Sequence, residues 1–431
     1  MWNMGATNFA FPKVLVAFPT IATINYTYRL LPKSGNKMII TKITIHNLFN
    51  FDHAELDLTI PKKVVNSTIP FEYLEGREAF RYRRVCILSG ANASGKTSLG
   101  RVLNFLQRCV AGDVLPAVED TRKYISDKTQ PAEMTVEFVT PSNFRIHQLQ
   151  VNILPQQPLP DILYASTYIE VNASSSKARE KLQKVLSAET PPKRSRRICT
   201  PIGGPSAWIE LLEELNTTIP GFGWKYHVTR TQEVSVGTVT REEGEDVRIF
   251  SAVLKTFDPS VEAILISKDD EGMNGFTIKF SNGDRVLLDT EGKVTNADRL
   301  SRGTLEATVT ASFLSRMLRD RQYPQACNTY FIDEAMAYAH PELEQAMVNL
   351  LIEKLGRNSQ LFYTTHNYEV LSMNLPTHSF VFLKKEWDKV SFVQPEKTFK
   401  RNDRSLLNYI QNDVFGTLPD TMTLDDLLWE D

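Results

Sequence analysis

An α/β fold is predicted, a mixed sheet with an antiparallel lobe beside it, and three observations predict it. The apolar run Arg84-Val85-Cys86-Ile87-Leu88-Ser89 reads as a short buried strand. It enters Gly90-Ala91-Asn92-Ala93-Ser94-Gly95-Lys96-Thr97, and a helical pattern leaves it, with Leu99, Val102, Leu103 and Leu106 on one face. Met38 to Ile45 and Ala54 to Ile60 alternate with period two, and Met134 to Val139 and Phe144 to Ile153 look like two further strands. They read as antiparallel strands, the first two as a hairpin. Later, apolar strands Asn328 to Glu334 and Gln360 to His366 are interleaved with helical patterns Thr304 to Arg319 and Glu342 to Leu355.

The glycine-rich segment fits G-x-x-x-x-G-K-[ST], the Walker A pattern. Gly90 and Gly95 let the backbone curl, so that N–H groups from Asn92, Ser94, Gly95, Lys96, Thr97 and Ser98 can face a polyphosphate. Lys96 adds a cation, the Thr97 hydroxyl can hold Mg²⁺, and the helix N-terminus favours an anion. Transfer of a phosphoryl group to water also needs a positioned water and a base. Phe331-Ile332-Asp333-Glu334 fits a Walker B strand end. There Asp333 would hold Mg²⁺ through its water shell together with Thr97, and Glu334 would accept the proton of the attacking water.

Composition bounds the rest. With 431 residues the chain can hold one nucleotidase core and an insertion. A net charge of −2 supplies no global attraction to nucleic acid, so any such contact needs a local patch. The four cysteines are scattered without C-x-x-C spacing, which argues against a zinc site or a disulfide framework and fits a reducing cytoplasm. No run of 18 apolar residues exists, so neither a transmembrane helix nor a membrane partner is expected.

Residues 1–37 carry no Asp or Glu, and their apolar stretch is broken by Pro19; they read as an N-terminal extension. Residues 38–159 read as an ATPase lobe carrying the Walker A loop. Residues 160–257 read as a mainly helical insertion. Trp208, Leu211, Leu212 and Leu215 there sit at helical spacing, as does Val247 to Phe257, and an exposed basic loop spans 177–197. Residues 258–416 read as the second lobe, with a hairpin turning at Asn282-Gly283. Residues 417–431 read as an acidic amphipathic tail. No heptad pattern persists, so long coiled-coil arms are excluded.

A family resemblance rests on further motifs. Leu300-Ser301-Arg302-Gly303-Thr304 resembles the signature motif of ABC-type ATPases and opens a helix ahead of the Walker B strand. Ala339-His340-Pro341-Glu342-Leu343 resembles the D-loop region, and Thr364-Thr365-His366-Asn367 resembles the switch-histidine segment. With S-x-G-T and T-T-H-N in these places, the chain is similar to the OLD and SMC-like subgroup. It departs from the family where the usual Gly-Gly-Gln ending is Arg302-Gly303-Thr304. A Q-loop glutamine is not identifiable, with Gln148 and Gln150 both open.

The resemblance implies an ABC-type P-loop ATPase head using ATP and Mg²⁺. It implies Lys96 on the phosphates, Thr97 and Asp333 serving Mg²⁺, Glu334 as base and His366 sensing the γ-phosphate. It also implies Ser301 and Gly303 capping the nucleotide of a second subunit, in a head-to-head homo-dimer or a higher even oligomer. Only 65 residues follow His366, too few for the Toprim nuclease of full-length OLD proteins. The chain therefore resembles stand-alone ATPase subunits of bacterial phage-defence pairs, those of PARIS-type systems above all, with the ATPase partners of Septu and certain retrons also similar. That resemblance implies a separate Toprim-type nuclease effector, released when a phage protein is sensed. The basic loop 177–197 and the acidic tail 420–431 are candidate contacts for effector, trigger or nucleic acid. The competing expectation is an SMC-like repair ATPase acting directly on DNA.

Overall fold

Two six-stranded sheets carry the architecture. The computed structural model describes residues 38–61, 67–110, 114–199, 210–211, 225–230, 246–268, 274–288, 294–322, 327–399 and 406–418. The extension 1–37, Trp208, Leu212 and Leu215, and the tail from 419 onward lie outside them.

The first sheet is antiparallel throughout. Its order is β2 (Ala54–Asp57), β1 (Ile39–His46), β6 (Ala132–Thr140), β7 (Arg145–Ile153), β8 (Asp161–Tyr168) and β9 (Arg196–Cys199). The second runs β10 (Lys225–Arg230), β14 (Asn328–Asp333), β15 (Gln360–Thr365), β5 (Val85–Ser89), β16 (Phe380–Glu386) and β17 (Lys389–Val393). Its first five strands are parallel, and β17 returns antiparallel. A third, small antiparallel sheet joins β11 (Val261–Lys268), β12 (Asn274–Phe280) and β13 (Arg285–Leu288), and a short ribbon pairs β3 (Tyr73–Leu74) with β4 (Arg77–Arg81). The expected mixed sheet with an antiparallel lobe is therefore present.

Every residue of β5 and β15 is buried, as a parallel sheet covered on both faces requires. The period-two alternation of side chains sends β14 into two cores. Phe331 packs with Leu99, Val102 and Leu103 of the helix Lys96–Val110 and with the antiparallel sheet. Tyr330 and Ile332 pack on the other face, with the helices Arg302–Arg321 and Pro341–Lys354. One buried side chain ties the two large sheets together. Gln360 accepts from the Ile40 N–H at 2.7 Å and donates to the Ile40 and Arg83 carbonyls at 2.9 and 3.0 Å.

Segment 160–257 differs from its expectation. Its described residues hold three strands, β8, β9 and β10, beside the helices Ser175–Ser187 and Val247–Phe257, so they are mixed rather than mainly helical. These strands complete both large sheets. Nor is 177–197 simply an exposed loop. Ser174 caps the helix Ser175–Ser187, which buries Ala178, Leu182 and Val185. Arg179 reaches Glu137 and Asp57 at 2.8 and 3.0 Å. The charge run in the sequence hides an apolar stripe of helical spacing. Gln148 and Gln150 lie on β7, bonded to Gln183 and Asn152.

The helix Lys96–Val110 approaches β14 so closely that a Cβ on Gly100 would lie 2.8 Å from the Phe331 ring. Gly100→Ala is expected to destabilise the protein by about 1–3 kcal/mol through overpacking. Urea denaturation of the two proteins checks this.

Candidate functional site

Three neighbouring parallel strands deliver the site. Thr365 is in register with Ser89 on β5, and Asp333 with Thr364 on β15. The residues that follow β5, β14 and β15 therefore emerge side by side at their carboxyl ends, where open α/β sheets bind ligands.

After Ser89 the chain turns through Ala93 and Gly95, both in the left-handed region at φ of 59° and 98°. Gly95 suits that conformation because it has no Cβ. Gly90 has a steric role instead, since a Cβ there would lie 2.5 Å from the Leu383 carbonyl. The Lys96 ammonium is folded inward, 3.0 and 3.1 Å from the carbonyls of Gly90 and Ala91 and 3.6 Å from a Glu334 oxygen. Burial presses its pKa downward, opposed chiefly by the Glu334 charge.

Asp333 ends β14. Burial raises its pKa against hydrogen bonds from the hydroxyls of Thr97 and Thr364, the latter 2.9 Å away. Glu334 sits in the left-handed region at φ 48°, a conformation costing about 1–3 kcal/mol in a non-glycine residue. Its N–H is held by the Thr364 hydroxyl at 2.9 Å, and one carboxylate oxygen lies 2.8 Å from His366 Nε2. The hydrogen bond from His366 leads the causes that hold Glu334 below its ordinary pKa, so it is ionised at neutral pH. Thr364 thus orients both acidic residues. The resemblance placed it in T-T-H-N without a role, and only strand register shows its contacts.

Two cavities flank the loop. One, of about 340 Å³, includes Ser94, Lys96, Thr97, Glu334 and Asn50 in its lining. The other, of about 290 Å³, includes Gly90, Asn92, His366 and Tyr368. Inside the loop, the Ser94 hydroxyl is buried without a hydrogen-bond partner. The donor set suits Mg²⁺, because the Thr97 hydroxyl and the Asp333 carboxylate are hard oxygen ligands. Lys96, Thr97, Asp333, Glu334 and His366 are therefore brought together. The arrangement can bind a polyphosphate, hold a cation and offer an ionised carboxylate to a water.

Ser301 and Gly303 are not brought into either cavity. Ser301 caps the helix Arg302–Arg321, its Oγ accepting from the Thr304 N–H at 3.1 Å. Gly303 lies under the Tyr338 carbonyl, and Arg302 donates to the Tyr338 hydroxyl at 2.8 Å. The Tyr338 N–H in turn donates to buried Glu306 at 3.1 Å. The start of this helix is thereby tied to the segment after Glu334. Deeper, Glu344 accepts from Tyr363 and Thr365 at 2.8 Å each and from Asn367 at 2.8 Å, bracing the segment around His366.

No family model and no curated protein sequence matches the chain. Among solved structures it is similar to the Smc head domain with an extended coiled coil, bound to the C-terminal domain of ScpA, from Pyrococcus furiosus. Identity is 12% and TM-score 0.45, over 87% of this chain and 100% of that one. It is also similar to the recombination mediator protein RecF of the RecFOR pathway. With ATPrS the values are 10% identity and TM-score 0.37 over 84% and 99%. With ATP they are 9% and 0.35 over 84% and 100%.

Burial raises the Glu306 pKa from its ordinary value to about 7, opposed by the Tyr338 N–H and by Arg302, and reinforced by the Glu344 charge. The folded protein therefore binds more protons than the unfolded chain between the ordinary carboxylate pKa and about 7. Glu306 consequently costs stability as pH rises through that window. Glu306→Gln is expected to raise the melting temperature at pH 8 and to leave it nearly unchanged at pH 5. Paired thermal melts check the sign.

Proposed function

We propose that this chain is an ABC-type ATPase subunit that binds ATP on the Gly90–Ser98 loop and hydrolyses it slowly. The observation that supports this most is the convergence of Lys96, Thr97, Asp333, Glu334 and His366 on one loop. Lys96 exchanges its carbonyl partners for phosphate oxygens, and the loop N–H groups with the following helix N-terminus take the rest of the charge. Bound Mg²⁺, held by Thr97 and Asp333, supplies charge neutralisation. Glu334 accepts the proton of a water aligned with the γ-phosphate, and His366 holds that carboxylate in place and contacts the γ-phosphate.

Two copies are proposed to meet head to head. Ser301 and Arg302 are exposed at the start of a 20-residue helix. That N-terminus, with Gly303 behind it, would meet the γ-phosphate held by the other copy. Closure then depends on nucleotide state and gates a separate effector, a Toprim-type nuclease, in a PARIS-like defence against phage in the cytoplasm. A phage protein is the trigger. The charge-rich segment 177–197 and the acidic tail are the candidate contacts.

Glu334→Gln is expected to lower phosphate release about a hundredfold or more while retaining ATP binding. Equal release by both proteins would remove Glu334 from the role of base. Tagged protein purified from its own host is expected to bring down a nuclease-like partner without added DNA. Retention of nucleic acid alone, released by salt, would favour the DNA-processing reading instead.

A further inference from the structure

A second cluster of ligating side chains lies beside the phosphate loop and takes no part in the chemistry above. The turn from β1 to β2 brings His46, Asp52 and His53 together, with one donor atom from each within 4.8 Å of the others. Asp52 Oδ1 lies 3.1 Å from His46 Nδ1 and 3.9 Å from His53 Nε2. The two imidazole rings stack in parallel, with centroids 3.7 Å apart. His46 Nδ1 is buried without a hydrogen-bond partner of proper geometry. The other carboxylate oxygen of Asp52 is occupied by Lys389 at 2.5 Å, which orients Oδ1 toward the imidazoles. The turn itself is braced. Asn47 bonds the backbone at Asp127, Gln130 and Pro131, and the Asn50 carbonyl accepts from the Val390 N–H at 2.8 Å.

We propose that His46, Asp52 and His53 form a surface site for a divalent first-row transition cation such as Zn²⁺ or Co²⁺. Two nitrogens and one carboxylate oxygen are the donor set of borderline metals, and Mg²⁺ prefers an all-oxygen shell. Ligand atoms about 2.1 Å from a common ion lie at most about 4.2 Å apart. The two distances to Asp52 already satisfy this limit, and the widest spacing exceeds it by less than an ångström. His53, whose side chain is 76% exposed, closes that gap by turning out of the stack. Three protein ligands leave the remaining positions to water. Phe49 and Asn50 of the same turn line the cavity at Lys96, so an ion here would stiffen one wall of that cavity. The site stands independently of the ATPase assignment.

The test is a Co²⁺ titration of the full-length, nucleotide-free protein in excess Mg²⁺, followed by visible d–d absorption. One Co²⁺ per chain is expected. His53→Ala and His46→Ala should each weaken it about tenfold or more, since losing a ligand costs at least as much as losing a supporting group. Cys199→Ser, which removes the exposed thiol, should leave it unchanged. His53 is exposed enough that its variant keeps the fold, and a thermal melt verifies this. No cobalt spectrum at millimolar metal, or a spectrum that survives both histidine substitutions, overturns the proposal.

Discussion

The site depends on the register of three parallel strands. β5, β14 and β15 end together only because Leu361 pairs with Val85 and Thr329 with Gln360. In a parallel ladder a slip of one residue would turn every side chain to the opposite face. Phe331 would leave the core beneath Leu99 and Leu103, and Asp333 would lose Thr364. Burial of both faces makes such a slip costly, and Gln360 adds a specific lock. Its amide satisfies one backbone N–H and two carbonyls in the seam between the sheets, so displacement would strand buried polar groups at about 1–3 kcal/mol each.

Charge at the site is arranged in opposed pairs. Lys96 is desolvated and therefore held to carbonyls and to Glu334. Asp333 is desolvated and held by two hydroxyls. Glu334 is held ionised by His366, on a backbone conformation that is itself strained. A buried charge without a partner is costly, so each group is restrained by its neighbours before any ligand arrives. A second layer of hydrogen bonds, Glu306 to Tyr338 and Glu344 to Thr365 and Asn367, joins the flanking helices to this centre. The segment after Glu334 thus touches the start of the helix Arg302–Arg321 through Tyr338.

Much of this was legible from residues alone, and the failures have physical causes. The loop Gly90 to Thr97 and the Asp333-Glu334 strand end were readable because their chemistry is carried by local pattern. The helix Ser175–Ser187 was misread because eight basic residues between 172 and 197 dominate its composition, while its apolar contacts come from only three buried positions. β10 escaped notice because Lys225-Tyr226-His227-Val228-Thr229-Arg230 is short and carries no apolar run or clear alternation. Hairpin β16–β17 was left unassigned, although β17 and the β1–β2 turn meet through Val390 and Asn50 beside the phosphate loop.

By itself the sequence determined the strand, loop and helix around Gly90 to Thr97, and which acidic, cationic and imidazole side chains stand near it. These follow from local periodicity and from residue chemistry, which short segments carry on their own. Tertiary structure alone decided that Thr364 bridges Asp333 and Glu334, that Gln360 ties the two large sheets together, and that Lys389 holds Asp52. Such contacts depend on strand register and on which faces become buried, and both are set by packing between residues far apart in the chain.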